Sequence, residues 1–376
     1  MSCDGMKVAV VGGGIGGMAA AAAFARKGAQ VVVYEQAPAL TEVGAGLQIS
    51  ANGQALLRAV GAVQGVPEKV TVSQGTWFCD GSSGRRVAKV RSAEAGPIWY
   101  MHRADLLALL TDAARDAGVQ VELGQYRVPG SLEADLVVAS DGVRGTWRGA
   151  IDGPARPHFT GQVAWRALVR LQGAPLPPVA QVYMGTRAHV VLYPLRGGEL
   201  ANLVAIEERQ GWLEEGWSLE GDPEELQTRF SDFHGDAGRV IGAVDRVYQW
   251  ALHARPVAQH WHKDNAVLVG DAAHPTLPFF AQGACLALED AAVLAESVAA
   301  GPEVGTALAR YQSLRQDRAT RVVGIASGNA WRFHLPKPWA WGAQMVLALG
   351  AGPLARRLEW VYAYDPTTVV SDGNAG

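Results

Sequence analysis

The sequence predicts an α/β chain: a doubly wound domain interrupted by a mostly antiparallel sheet and closed by a helical C-terminal segment. Three observations predict it. Lys7-Val8-Ala9-Val10-Val11 runs into Gly12-Gly13-Gly14-Ile15-Gly16-Gly17, then an Ala-rich stretch and Val31-Val32-Val33-Tyr34-Glu35, which reads as strand, glycine turn, helix and strand. From Gln162 to about Arg255 the texture changes to short alternating segments punctuated by Pro and Gly. The α/β texture returns at Asn265-Ala266-Val267-Leu268-Val269-Gly270-Asp271, ahead of a helical pattern from about Gly283 to Ala299.

Each element follows from its residues. Gly12 permits a tight turn after the first strand, Gly14 lets the backbone approach a pyrophosphate, and Gly17 lets the helix pack close to the sheet with its N-terminal amides on the phosphates. Glu35, ending the second strand, can accept both hydroxyls of an adenosine ribose. The frame therefore points to a dinucleotide site rather than an ordinary Gly-rich turn. Asn52 to Val60 reads as a helix with Leu56, Leu57 and Val60 on one face, and Val70 to Val90 as strand interrupted by Asp80-Gly81-Ser82-Ser83-Gly84. Arg103 to Ala117 is helical, with Leu106, Leu107 and Leu110 as a stripe and Gly118 as its stop. Val119 to Leu123 and Ala134 to Ala139 are strands, the second apolar almost throughout, as a parallel strand covered on both faces is. Val163 to Leu171, Ala180 to Met184, Ala188 to Pro194 and Leu200 to Ile206 make the inserted sheet.

Composition limits the partners. The chain has 376 residues, 49% of them apolar, enough for a sizeable core. With 33 basic and 36 acidic residues the formal charge is −3, which gives no electrostatic reason to expect nucleic acid or an anionic membrane. Cys3, Cys79 and Cys285 lack a paired metal spacing, and His253, His260 and His262 lack a ligand frame, so no metal is expected. Met1 to Gly5 has no basic run and Met18 to Ala25 is too short to span a bilayer, so a cytoplasmic protein without stable membrane association is expected.

Two further motifs sharpen the reading. The first is Ala139-Ser140-Asp141-Gly142-Val143-Arg144-Gly145-Thr146-Trp147-Arg148, an acid and a glycine after a buried strand. The second is Gly270-Asp271-Ala272-Ala273-His274-Pro275, leading through Pro278, Gln282 and Gly283 into a helix with Glu289-Asp290-Ala291-Ala292. Together with the glycine turn, in this order along nearly the whole chain, they resemble the three motifs of the FAD-dependent aromatic hydroxylases, the single-component flavoprotein monooxygenases. The likeness extends to the 6-hydroxynicotinate and salicylate hydroxylases through Glu35-Gln36-Ala37-Pro38, Val43-Gly44-Ala45-Gly46-Leu47, Ala281-Gln282-Gly283-Ala284-Cys285 and Trp360-Val361-Tyr362-Ala363-Tyr364-Asp365.

The resemblance implies an FAD-binding domain over 1–74, 98–158 and 260–324, a substrate domain over 75–97 and 159–259, and a C-terminal helical segment over 325–376. It implies noncovalent FAD held by Gly12, Gly14, Gly17, Glu35, Arg103, Asp141, Gly142, Asp271, Gln282 and Gly283, with His274 supporting the loop. NADH or NADPH would act as transient reductant, since no second glycine fingerprint introduces a nicotinamide domain. Dioxygen would then form a flavin 4a-hydroperoxide that hydroxylates an electron-rich ring. His189, Tyr193 and Cys285 match substrate positions of the nicotinate enzyme, alternatively a core histidine, a sheet-face aromatic and a helix-packing thiol. Gln48 stands where that enzyme has a histidine; it can hydrogen-bond a phenol but cannot take its proton. Gly124 to Asp135 is much shorter than the family's β-meander on the adenine side. A flavin dehydrogenase or oxidase, or a degenerate flavin binder without catalysis, remain the alternatives. The expected substrate is a phenolic or hydroxylated N-heteroaromatic acid.

Overall fold

The computed structural model describes residues 3–40, 45–64, 66–91, 94–211, 219–336 and 339–372; Val43 and Gly44 of the Gly-Ala-Gly turn lie outside them. Strand β1 (Lys7–Val11) is buried from Val8 onward and ends at Gly12, whose φ of +99° turns the chain into α1 (Ile15–Arg26). Ten consecutive residues of α1 are buried, most of them Ala or Gly, so the helix axis lies close to its neighbours. The chain continues through β2 (Gln30–Glu35), β3 (Gly46–Ile49), α2 (Ala51–Ala59), α3 (Val66–Lys69), β4 (Val70–Val72), β5 (Thr76–Asp80), β6 (Arg86–Val90) and β7 (Trp99–His102). His102 begins α4 (Arg103–Asp116) by accepting from the Ala104 amide on Nδ1 at 3.1 Å, and β8 (Gln120–Leu123), β9 (Leu136–Ala139) and α5 (Trp147–Ile151) follow.

The insertion comprises β10 (His158–Arg170), β11 (Ala180–Gly185), β12 (Ala188–Leu195), β13 (Leu200–Glu208), β14 (Leu219–Gly221), α6 (Pro223–Arg229), α7 (Asp236–Ile241) and β15 (Val247–Ala254). The chain then returns through β16 (His262–Lys263), β17 (Ala266–Leu268), α8 (Gly283–Ala300), α9 (Val304–Arg332), α10 (Trp339–Tyr362) and α11 (Val369–Asp372).

Three sheets result. One has the order β16-β17-β9-β1-β2-β8 and is parallel apart from β16; the run of buried residues in β9 is what a strand covered on both faces requires. The second, β14-β15-β10-β13-β12-β11-β5-β6, is antiparallel except between β5 and β11. The third, β3-β7-β4, is antiparallel throughout and meets β12 of the large sheet through β7 and β4. The expected strand from Val70 to Val90 is thus divided: β4 joins the small sheet, whereas β5 and β6 extend the large one. The boundary expected at 324 falls inside α9, which is continuous because no proline interrupts it. Gly124 to Asp135 is a short loop without strand. It is held by Trp147 Nε1 donating to the Arg127 carbonyl at 3.1 Å and by the Arg127 guanidinium 4.8 Å from the Tyr34 ring centroid.

Alternation on the large sheet separates its two faces. Val190, Leu192, Leu203, Ala205 and Trp165 pack with Leu226, Phe230 and Val240 of the α6–α7 cover. His189, Val191 and Tyr193 lie on the opposite face, in register with Ile206, Val204 and Asn202 of β13 and through them with Ala164, Arg166 and Leu168 of β10. That face meets Phe279, from the loop before α8, and Tyr100 of β7.

Candidate active site and cofactor cleft

The three sequence motifs converge at the carboxyl ends of adjacent parallel strands β1, β9 and β17, where a doubly wound sheet opens its ligand crevice. A Cβ on Gly12 would stand 2.3 Å from the Ser140 carbonyl, and one on Gly17 would overlap the Gly12 carbonyl; both glycines are therefore required by close backbone approach. A Cβ on Gly14 would meet nothing within 4 Å, leaving the space above the turn open to a pyrophosphate. Glu35 accepts from the Gly13 amide at 2.6 Å and the Ala37 amide at 2.8 Å, one per carboxylate oxygen, and each oxygen keeps lone-pair capacity for a ribose hydroxyl. These residues fit the adenosine diphosphate half of FAD.

Asp141 accepts from the Trp147 amide at 3.1 Å and thereby starts α5, while Gly142 turns the chain at a φ of +75°. Burial raises the Asp141 carboxyl, with the Trp147 amide opposing. Asp271 is exposed by area yet sits in a recess crowded by protein; that desolvation raises its carboxyl against the opposing charges of His274 and Arg103. Arg103 and Asp271, far apart in sequence, are thus brought to one place, with the Arg103 amide donating to the Ala45 carbonyl at 2.8 Å. Gln282 is the N-cap of α8 but does not cap it. Its side chain turns inward, donating to Ser50 Oγ at 3.1 Å and accepting from Asn52 Nδ2 at 3.0 Å. Ala281 reaches a φ of +51° to set that turn ahead of Gly283.

Behind this loop lies a fully buried ionic network. His274 Nε2 and Asp290 Oδ2 are 2.5 Å apart, and Asp290 also accepts from the Gly270 amide at 3.0 Å. Arg315 bridges Asp290 and Glu289, at 2.8 and 2.5 Å, while Arg318 grips Glu289 with two contacts of 2.8 Å. Asn52 Nδ2 donates to Glu289 Oε1 at 2.6 Å, connecting the network to Gln282. Burial alone would raise the Glu289 carboxyl, yet Arg315 first and Arg318 next hold it below its ordinary value. The late Trp-Val-Tyr-Ala-Tyr motif closes the assembly: Arg318 donates to the Trp360 and Val361 carbonyls, and its guanidinium lies 3.9 Å from the Tyr364 ring centroid.

The substrate candidates separate into two groups. Tyr193 packs its ring 5.0 Å from Tyr100 and over Gly46, where a Cβ would come within 2.6 Å of it. Alternation along β3 sets Gln48 on the same face as Gly46, hence toward Tyr193. Burial, then Tyr100, raises the Tyr193 hydroxyl, and Arg166 opposes them. His189 shares the face, its ring 5.6 Å from Phe279 and 5.2 Å from Phe333. Cys285, by contrast, is wedged behind β3. Its Sγ is 3.6 Å from both Ser50 Oγ and the Gln48 carbonyl, and burial pushes the thiol up to about 11, so it packs and positions Gln48 rather than presenting a reactive sulfur.

Sequence reasoning missed Arg166, Asn202, Asn52 and His334. Arg166 lies on the Tyr193 face of β10 with its guanidinium 4.7 Å from the Trp250 ring centroid; only the register of β10, β13 and β12 reveals that neighbourhood. Among the described residues no group of His, Cys, Asp or Glu could hold a metal, and no helix is long and apolar enough to cross a membrane.

Comparison with known proteins agrees with this geometry. A family model described as an FAD binding domain matches residues 125–326, and one described as an NAD(P)-binding Rossmann-like domain matches residues 10–42, which span the glycine turn. The chain is 31% identical to 3-amino-4-hydroxybenzoate 2-monooxygenase PtmB3 of Streptomyces platensis, over 97% of this chain and 98% of that protein. It is 30% identical to 6-hydroxynicotinate 3-monooxygenase of Pseudomonas fluorescens, over 89% and 94%. A solved salicylate hydroxylase substrate complex has the same fold, with a TM-score of 0.81 at 22% identity over 98% of each chain. The chain accordingly belongs to the FAD-dependent aromatic hydroxylases, the flavoprotein monooxygenases.

Proposed function

We propose that this chain uses NADH or NADPH and dioxygen to hydroxylate a phenolic or hydroxylated N-heteroaromatic acid. The parallel-sheet unit holds FAD, and the ring lies against the Tyr193 face of the large sheet. The observation that carries the proposal is that face itself, where a phenol, an imidazole and a guanidinium (Tyr193, His189 and Arg166) share one side of β12, β13 and β10 with Asn202 and with the apolar Ala164, Leu168, Val191, Val204 and Ile206. The apolar positions suit a flat ring, and Arg166 suits its carboxylate. Tyr193, kept protonated by burial, and Gln48 suit a ring hydroxyl or lactam oxygen. FAD held there would supply the activation of dioxygen, one atom of which would enter the ring while the other leaves as water.

The test is a screen of FAD-loaded protein with 3-amino-4-hydroxybenzoate, 6-hydroxynicotinate and salicylate. The right aromatic should raise NAD(P)H oxidation at least about tenfold, about 1.4 kcal/mol in barrier, and labelled dioxygen should enter the product. Tyr193→Phe should keep its FAD and lower stimulated turnover by roughly ten- to a hundredfold, about 1.4 to 2.7 kcal/mol. Flavin reduction equally fast with and without every aromatic would refute the reading in favour of a dehydrogenase. Wild-type kinetics in Tyr193→Phe would reduce the tyrosine to packing.

A further inference from the structure

We propose that His334 and Glu208 form a proton relay that connects His189, on the substrate face, with solvent at the C-terminal end of β13, an interior strand of the large sheet. His189 Nδ1 lies 2.7 Å from His334 Nε2, and His334 Nδ1 lies 3.1 Å from Glu208 Oε1. Both imidazoles are buried, whereas the Glu208 side chain is 35% exposed. Glu208 borders a surface cleft of about 560 Å³, lined also by Phe159, Thr160, Arg187 and Arg209, and is paired with Arg187 Nε at 3.1 Å. The chain of atoms therefore runs from a closed interior to open water.

The acceptors fix the direction. An ionised carboxylate only accepts, so His334 carries its proton on Nδ1. Burial lowers both imidazoles, so both are neutral, and neutral His334 then accepts at Nε2 from His189 Nδ1–H. The remaining lone pair is on His189 Nε2. When that nitrogen takes the proton of a ring hydroxyl, the O–H bond breaks and an N–H bond forms. The His189 Nδ1 proton passes to His334 Nε2, the His334 Nδ1 proton passes to Glu208, and Glu208 releases it to water. One proton leaves, the phenolate keeps the electron pair, and the chain resets when a proton returns to the product oxygen. The arrangement also answers the lack of a base at Gln48. Phe279 and Phe333 flank His189, Met184 and Ile206 are its cross-strand neighbours, and Arg187 is the charged neighbour of Glu208.

The inference rests on placing the substrate ring against His189, and the experiment separates the two. In FAD-loaded protein without any aromatic, nitrogen-15 NMR of labelled histidine near neutral pH should show His189 and His334 as neutral Nδ1–H tautomers, and Glu208→Ala should release His334 from that form. His334 found protonated on Nε2 alone, or doubly protonated, overturns the relay. With 3-amino-4-hydroxybenzoate and 6-hydroxynicotinate as probes, stopped-flow proton release read by an indicator dye should slow at least about tenfold in Glu208→Ala and in His334→Ala, with FAD content unchanged. Formate should restore the first variant and imidazole the second. Should His334→Ala fail to fold, Glu208→Ala, with its partly exposed side chain, carries the kinetic test. Wild-type proton release and an unchanged pH profile overturn the proposal. If neither probe binds, the substrate reading fails and the tautomers alone decide the relay.

Discussion

Asp271 is placed by a strand end, left exposed in a recess and faced by Arg103, the arrangement expected of a carboxylate that meets a cofactor hydroxyl rather than one that holds the fold. Asp271→Ala should therefore weaken FAD retention by about 1 to 3 kcal/mol, the usual loss of a buried hydrogen bond. The ratio of flavin to protein absorbance after gel filtration measures it, and an undiminished ratio removes the assigned role. Residues of this kind were legible in the sequence because their demands are local: Gly12 and Gly17 are dictated by backbone contacts within the same turn or with the adjoining strand end. Arg166 and His334 were not. An arginine in a strand and a histidine after a helix acquire meaning only from Tyr193 and His189, which the chain brings to them from distant segments.

At the scale of elements, α8 is coupled to α2, α9 and the C-terminal segment by charge rather than by apolar packing alone. Glu289 and Asp290 are consecutive and both fully buried, so each depends on Arg315 or Arg318 for its charge to be tolerated. Breaking one partner leaves an uncompensated buried ion. Arg315→Met should destabilise the protein by about 3 to 5 kcal/mol in urea unfolding, far more than a surface ion pair is worth. A loss under about 1 kcal/mol would mean that the network is not held as the structure has it. Because Asn52 joins Glu289 to Gln282, the variant should also release FAD more readily than wild type, measured by the same absorbance ratio.

The whole molecule carries a pH signature. His102, His189, His262 and His334 are all lowered from the ordinary 6.5, first of all by burial. The unfolded chain takes up these protons near that value while the folded chain resists, so the unfolded state binds more protons and stability falls as pH drops below about 6.5. Protonating His102 also removes the lone pair that caps α4. Glu289 and Asp290, held low, add stability that is lost only in stronger acid; Asp141 and Asp271, held high, act with the opposite sign just above the carboxylate range. Midpoints of thermal unfolding should decline between about pH 7.5 and about pH 5.5, and His189→Phe should flatten the slope if it folds; a level profile in wild type contradicts the burial of these rings as neutral groups. Sequence alone determined the α/β class, the inserted sheet and the cofactor cradle, because hydrophobic period and glycine placement act over a few residues. Only the tertiary structure decided that Cys285 packs behind Gln48, that α9 runs unbroken past 324, and that Arg166 lies on the face where strand alternation sets Tyr193 and His189. Strand register is set by contacts between segments that the linear order does not disclose.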